Sequence, residues 1–120
     1  MSAFNDDERS YLLSTDRPSR ERLARIATVG ADGTPHVTPV GWSYNTELDT
    51  IDIGGRDFAR TKKFRDVQRS ERAAMVVDDV LPPWRPRGIE VRGRAEAVDG
   101  PTPLIRIYPD RVRSWGLQPD

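Results

Sequence analysis

Between Gly54 and Phe64 the chain reads GGRDFARTKKF, two glycines beside an arginine, followed within a few residues by Arg60, Thr61, Lys62 and Lys63. A phosphate group is held by amide donors from an open turn, by a helix N-terminus and by cations at short range, and this stretch supplies all three. Gly54 and Gly55 let the backbone approach a ring or phosphate with no Cβ in the way. Thr61 can donate a hydrogen bond, while Lys62 or Lys63 supplies charge. From Arg56 to Arg72 there are seven Lys/Arg against three acids, although the whole chain has a formal net charge of zero. Such a segment attracts anions; the same pattern also describes an ordinary solvated helix face.

Other chemistries find little support. The chain has no cysteine, and so no thiolate nucleophile, disulfide framework or zinc–thiolate site. Its one histidine, His36, comes without a nucleophile motif, which disfavours a His-rich metal site and a Ser-His-Asp hydrolase alike. No metal is expected. No residue stands out as a proton donor, so any catalysis is expected to come from a bound cofactor.

The elements that must position these residues follow from periodicity. At 120 residues and 13.6 kDa the chain makes one domain, 1–120, small enough for dimerisation to help its stability. An N-terminal helical segment is expected over 1–17, with Asn5 or Asp6 as cap, Asp7 and Glu8 in the first turn, and SYLL as the packing face. This end is acidic, with Asp6, Asp7, Glu8 and Asp16 against Arg9. After Pro18, RLARIATV is a strand that turns at Asp32-Gly33 into the returning strand HVTPVGWSYN. There Val40, Trp42 and Tyr44 share a face, and Pro39 and Gly41 predict a bulge or a close backbone approach. TIDIGG is a third strand. RTKKFRDVQRS is a short helix with Phe64 and Val67 inward and its basic side exposed. RAAMVVDDV reads as a central strand, apolar on both faces, and LPPWRPRG as a loop. The next strand points Ile89, Val91, Gly93, Ala95 and Ala97 inward, and its outward Glu90, Arg92, Arg94 and Glu96 predict cross-strand ion pairs. LIRIY is a sixth strand that RVRSWGL extends or follows. Six mostly antiparallel strands with two short helices predict a closed or split β-barrel.

In order and spacing, ARIATVGADGTPHVTPVGWSYN, RTKKFRDVQRSERAAMVVDD and GIEVRGRAEAV followed by RVRSWGL resemble the flavin-binding split barrels of the pyridoxamine 5'-phosphate oxidase-like superfamily, in particular its small deazaflavin-dependent actinobacterial branch. The resemblance covers nearly the whole chain. It implies a mainly β fold, a six-stranded antiparallel split barrel that pairs as a homodimer with FMN or the deazaflavin coenzyme F-420 in a groove at the subunit interface. It also implies that the cofactor phosphate is held at Thr61 and Lys63, with Lys62 and Arg56 beside them and Gly55 in the preceding turn. The strand TPVGWSY matches the one on which such proteins rest the ring, with the backbone of Val40 and Gly41 facing the heterocycle. His36 falls where related chains place a polar residue near the cofactor, though a histidine on a hairpin also reads as merely solvated. Trp115 matches an aromatic that reaches the partner's cofactor, and reads equally as a chain-end anchor. Trp42 fits core packing as well as ring contact; Trp84 fits a groove cap or a shield of the barrel end. At Asp66 the branch often carries asparagine, and an acid there weakens the pull of the helix on phosphate.

The function implied is an oxidoreductase that passes a hydride between a deazaflavin or FMN and a small organic substrate, the chemistry belonging to the cofactor. The alternatives are a cofactor-binding or storage protein without catalysis, and a small barrel for single-stranded nucleic acid that pairs its basic groove with Trp84 and Trp115. Zero net charge counts against the last. MSAFNDDERSY lacks the features of a signal peptide and no apolar run reaches the roughly 20 residues of a membrane span, so a soluble, cytoplasmic protein is expected.

Overall fold

The first helix, α1, runs over Asp6–Leu13 because Asn5 caps it: the Asn5 side chain accepts from the Glu8 amide at 2.8 Å and Glu8 accepts from the Asn5 amide at 2.9 Å. This reciprocal capping box satisfies two donors that a helix start would otherwise leave open. Tyr11 and Leu12 turn inward, as the SYLL pattern predicts. The computed structural model describes residues 1–15 and 22–118, so Asp16, Pro18 and the boundary at residue 17 lie outside the described residues.

Six strands follow: β1 (Ala24–Val29), β2 (Pro35–Asn45), β3 (Thr50–Gly54), β4 (Arg72–Leu81), β5 (Arg85–Val98) and β6 (Leu104–Trp115). A second helix, α2 (Lys62–Ser70), and a short 3-10 turn at Phe58–Arg60 lie between β3 and β4. All strand pairs are antiparallel, and the order β1-β2-β3-β6-β5-β4 closes into a barrel. Closure leaves no sheet edge to template another chain. The interior is filled by alternate side chains of the strands, among them Ile26, Ile51, Ile53, Met75, Val77, Ile89, Val91, Ile105 and Ile107.

Four expectations are corrected. The first concerns Pro39 and Gly41, which produce no bulge. The β1–β2 register runs unbroken through Pro39 and ends at Ala24 opposite Val40, and pairing with β3 starts at Gly41 opposite Gly54. These residues mark where β2 exchanges one partner for another, so Pro39 has one side without a neighbour and its missing donor can face that way. The bulge lies between Arg92 and Gly93, where β5 skips Asp110 of β6. A Cβ on Gly93 would sit 2.0 Å from the Tyr108 carbonyl oxygen, so only glycine fits that crossing.

The second correction is the proline segment, of which only Pro82–Trp84 is a turn: β5 already begins at Arg85, and Pro86 pairs with Val80. The Arg87 guanidinium reaches Asp79 directly opposite at 2.8 Å, which holds the hairpin together past its prolines. Thirdly, β4 is central, with β1 and β5 on its flanks, but its faces differ: Ala73, Met75 and Val77 are buried while Ala74 and Val76 are half-buried. Lastly, Arg92 meets Glu90 of its own strand at 3.6 Å, while Arg94 lies 4.0 Å over the Tyr108 ring and Tyr108 donates to Glu96, so the cross-strand contact there is cation–π rather than ionic. The expectation that RVRSWGL extends the sixth strand holds as far as Trp115.

Candidate functional site

The helix α2 starts at Thr61 because the hydroxyl of that residue accepts from the Phe64 amide at 3.3 Å. The same hydroxyl donates to the Phe58 carbonyl at 2.7 Å, and the Thr61 amide donates there too. Thr61 therefore ties the 3-10 turn to the helix, and its donors are engaged locally. The amides of Lys62 and Lys63, in the first turn, have no partner within the helix, as at any helix start. Lys63 lies half-buried with its ammonium 5.7 Å from the centre of the Phe58 ring, while Lys62 is exposed.

Across from this helix start stands the β1–β2 hairpin. Its turn is closed by a Gly33 amide bond to the Gly30 carbonyl, with Gly33 at φ +88°, a conformation that favours glycine. The hairpin register sets Thr28 opposite His36. Both reach the same buried carboxylate of α2: Asp66 accepts from Thr28 Oγ1 at 2.8 Å and pairs with His36 Nδ1 at 2.9 Å. The Asp66 side chain is only 6 % exposed. Burial pushes its pKa up, but hydrogen bonds from His36 and Thr28 and the nearby charges of His36 and Lys62 outweigh this, and the carboxyl sits below its ordinary value. Packing fixes the His36 ring as well, since a Cβ added to Gly30 would lie 2.8 Å from His36 Cε1. The result is a groove of about 380 Å³ walled by Ile26, Thr28, Val37 and Thr38 and flanked by His36, Lys62 and Lys63.

Of the residues singled out from sequence, the structure brings His36, Lys62 and Lys63 into this one groove, with Thr61 immediately before them. Gly55 lines a different groove, of about 640 Å³, on the far side of the 3-10 turn with Asp57, Arg60 and the Gly100–Leu104 turn, and Arg56 is exposed beside it. On β2 the Val40 side chain is buried in the barrel, while Gly41 is exposed, with nothing within 4 Å of where its Cβ would be. Its outward neighbours Val37 and Pro39 are exposed too, so β2 presents an exposed apolar strip, open at Gly41, that leads away from the cationic groove.

Trp42 packs against the barrel, donating to the Arg22 carbonyl with the Arg22 guanidinium 5.5 Å from its ring centre. Trp115, 40 % exposed, lies at the end of β6 opposite Gly88, and its ring edge passes so close that a Cβ on Gly88 would be 2.6 Å from it. That contact fits the chain-end anchor reading of Trp115. Trp84 is 75 % exposed at the tip of the β4–β5 turn. Sequence reasoning missed Thr28 and Gly30, and read Asp66 only as a weakness in the anion site, not as the partner of His36 and Thr28. A two-residue turn at Asp32-Gly33 would set Thr28 opposite Val37; the observed register, centred on Asp32, sets it opposite His36 instead, and no local signal says that Asp66 packs over that pair. Among the described residues there is no cluster of three metal-ligating side chains, and no helix is long and apolar enough to cross a membrane.

Comparison with known proteins gives the site its context. The pyridoxamine 5'-phosphate oxidase family pattern matches residues 6–116. A 5a,11a-dehydrotetracycline/5a,11a-dehydrooxytetracycline reductase of Streptomyces rimosus is 41 % identical over 98 % of this chain and 86 % of its own length. The fold is shared with a conserved hypothetical protein of Mycobacterium tuberculosis at a TM-score of 0.74 and 19 % identity, covering 98 % of this chain and 88 % of that one. It is also shared with an FAD-binding protein of Mycobacterium smegmatis, TM-score 0.67, 20 % identity, covering 95 % and 96 %. An F420 reductase is similar at 0.62 and 20 % identity, covering 87 % and 94 %.

Proposed function

The chain belongs to the pyridoxamine 5'-phosphate oxidase family, and from that premise we propose that it is an oxidoreductase that binds a phosphate-bearing flavin or deazaflavin on the outside of its barrel and reduces a small organic acceptor. The observation that carries this reading is the convergence of His36, Lys62 and Lys63 on one groove beside the exposed strip Val37, Pro39 and Gly41. The fit to such a cofactor is physical. A phosphate in the groove would meet two ammonium groups and the open first-turn amides of Lys62 and Lys63. A planar ring laid along β2 would meet Gly41, where no side chain intervenes. From Val37 to Gly41 the strand advances about 13 Å, enough to set a ring apart from its phosphate.

When bound, the cofactor supplies the hydride chemistry. The chain's own part is to hold the phosphate with Lys62 and Lys63, to rest the ring on the backbone of Val40 and Gly41, and to exclude water from one face. The other face needs covering, because the barrel interior is filled with side chains and has no room for three fused rings. A second copy of the chain is the cover we assign, in a homodimer with the cofactor between subunits. The 41 % identity to a reductase supports reduction as the reaction class.

Gly55 and Arg56, on the far side of the 3-10 turn, belong to this site only if the cofactor extends past Phe58. Thr61 serves it by building the helix start. Trp115 of a second subunit would approach the ring only if the dimer brings the end of β6 over β2. The experiment is mass analysis of the cofactor released when the purified protein is denatured, followed by turnover of the reduced cofactor with organic acceptors. FMN or the deazaflavin coenzyme F-420 together with turnover is the expected result. Release without turnover would leave a cofactor carrier, and binding of neither compound would remove the proposal.

A further inference from the structure

We propose that Asp66 is a positioning residue for phosphate binding: its buried carboxylate holds the Nδ1 edge of His36, so that Nε2 joins Lys62 and Lys63 as a third donor to the phosphate, available only while the imidazole is protonated. This inference deepens the reading of the groove as a phosphate site and rests on it.

The geometry is specific. The Asp66 oxygen that pairs with His36 Nδ1 at 2.9 Å also accepts from Thr28 Oγ1 at 2.8 Å, and the other oxygen lies 3.9 Å from Arg69 Nη2. A carboxylate at Nδ1 fixes that nitrogen as the protonated one and fixes the ring plane. Gly30 closes off the Cε1 edge. What remains of the ring is Nε2, which has no hydrogen-bond partner among the described residues while His36 flanks the groove. A surface histidine without a function would not need a nearly buried carboxylate shared with a strand threonine. Arg69, whose guanidinium donates to the Val29 carbonyl at 2.6 Å, closes the far side and keeps Asp66 from turning to solvent.

The proton at Nε2 decides the direction of the pH effect. Facing the ring are Asp66 of α2 at Nδ1, Asp32 of the hairpin turn across Gly30, and Lys62 and Lys63 of α2 at the groove, with Arg69 behind Asp66. Neutral His36 turns an Nε2 lone pair towards phosphate oxygens and repels them. Protonated His36 turns an N–H towards them and forms a charge-assisted bond. Phosphate binding should therefore take up a proton, and affinity should fall as pH rises and His36 loses its own. Lysines alone, facing a phosphate monoester whose second pKa is about 6, would leave affinity level or rising with pH through neutrality, the opposite sign.

His36 is the chain's sole histidine, so its imidazole gives one set of NMR signals. We would record them on the full chain from pH 6 to 9 with FMN and, separately, with riboflavin, which lacks the phosphate. The expected result is that FMN but not riboflavin shifts Nε2 and moves the His36 titration to higher pH. Asp66→Asn should abolish that movement and weaken FMN by about tenfold or more, the scale of one charge-assisted hydrogen bond, while riboflavin binding is unchanged. Should Asp66→Asn not fold, His36→Gln must give the same loss of pH dependence. FMN bound through Lys62 and Lys63 with His36 silent would overturn this inference and leave the phosphate site standing. Failure of both FMN and the deazaflavin coenzyme to bind would overturn the two together.

Discussion

Asp66 and His36, 30 positions apart in sequence, meet at 2.9 Å where α2 packs against the β1–β2 hairpin, and the contact joins the two elements that form the cationic groove. An acid at position 66 read from sequence as a weakness in an anion site. Folded, it accepts from Thr28 and pairs with His36 of the hairpin, while Lys62, whose charge also acts on it, and Lys63 flank the groove.

The lysines are the first test. Lys62→Ala and Lys63→Ala should each weaken a phosphate-bearing flavin by about 1.5–3 kcal/mol, the loss of one charge-assisted contact. Arg94→Ala should leave affinity unchanged, because Arg94 lies over Tyr108 on the outer surface of β5. Titration by flavin fluorescence checks both, and equal affinities for all three variants would take the lysines out of the site.

Two glycines separate folding from binding. Gly93→Ala forces a Cβ to 2.0 Å from the Tyr108 carbonyl oxygen and 2.9 Å from the Asp110 nitrogen, backbone atoms that cannot step aside. We expect a loss of about 1–3 kcal/mol or more in urea unfolding. Gly41→Ala meets nothing within 4 Å. It should leave the unfolding midpoint nearly unchanged and yet loosen the cofactor, by lifting the ring off β2. A Gly41→Ala protein that binds as tightly as the parent would move the ring elsewhere.

Gly30→Ala probes the packing of the imidazole. The new methyl would lie 2.8 Å from His36 Cε1, so the ring must leave its place against Asp66. The His36 NMR signals should move in the absence of ligand, and FMN affinity should fall with them. Unmoved signals would show that the hairpin yields instead of the ring.

Acid should weaken the fold through the paired aspartates. Burial raises the pKa of Asp52, but hydrogen bonds from Arg106, Asn45 and Thr50 and the Arg106 charge lower it further, so the net shift is downward. Its guanidinium partner lies at 3.1 Å from each oxygen. A folded pKa below the unfolded one gives stability that is fully present above the unfolded value of about 4 and is lost as pH falls through the lowered one. Asp52→Asn should therefore be less stable than the parent at pH 7, and the gap should close towards pH 2. Denaturant unfolding at several pH values reads this directly, and a gap constant with pH would mean that the pair contributes no charge-dependent stability.

The fold was largely legible because its signals are local. Alternation from Ile89 to Ala97, the Asp32-Gly33 turn and the Asn5 cap are each encoded within a few residues. The proline segment was misread because Pro86 tolerates an edge-like strand position that only the Asp79–Arg87 contact across the hairpin explains. Of the site, Lys62 and Lys63 were visible as charge at a helix start. The Asp66–His36–Thr28 contact was not, since it depends on how α2 docks on β1 and β2, which no pattern within either element records. Gly55 and Lys63 are near in sequence but face different grooves, because the 3-10 turn at Phe58–Arg60 stands between them.

The central claim is that a cofactor phosphate sits between His36, Lys62 and Lys63. The most direct measurement is the affinity ratio of FMN to riboflavin, and of the deazaflavin coenzyme to its phosphate-free core, for the parent chain and for a Lys62→Ala/Lys63→Ala double variant. Two charge-assisted contacts at about 1.5–3 kcal/mol each predict that at least one of these pairs shows a preference of roughly a hundredfold or more for the phosphate form in the parent, collapsing in the variant. A parent with no preference in either pair, or a preference that survives loss of both lysines, would contradict the account.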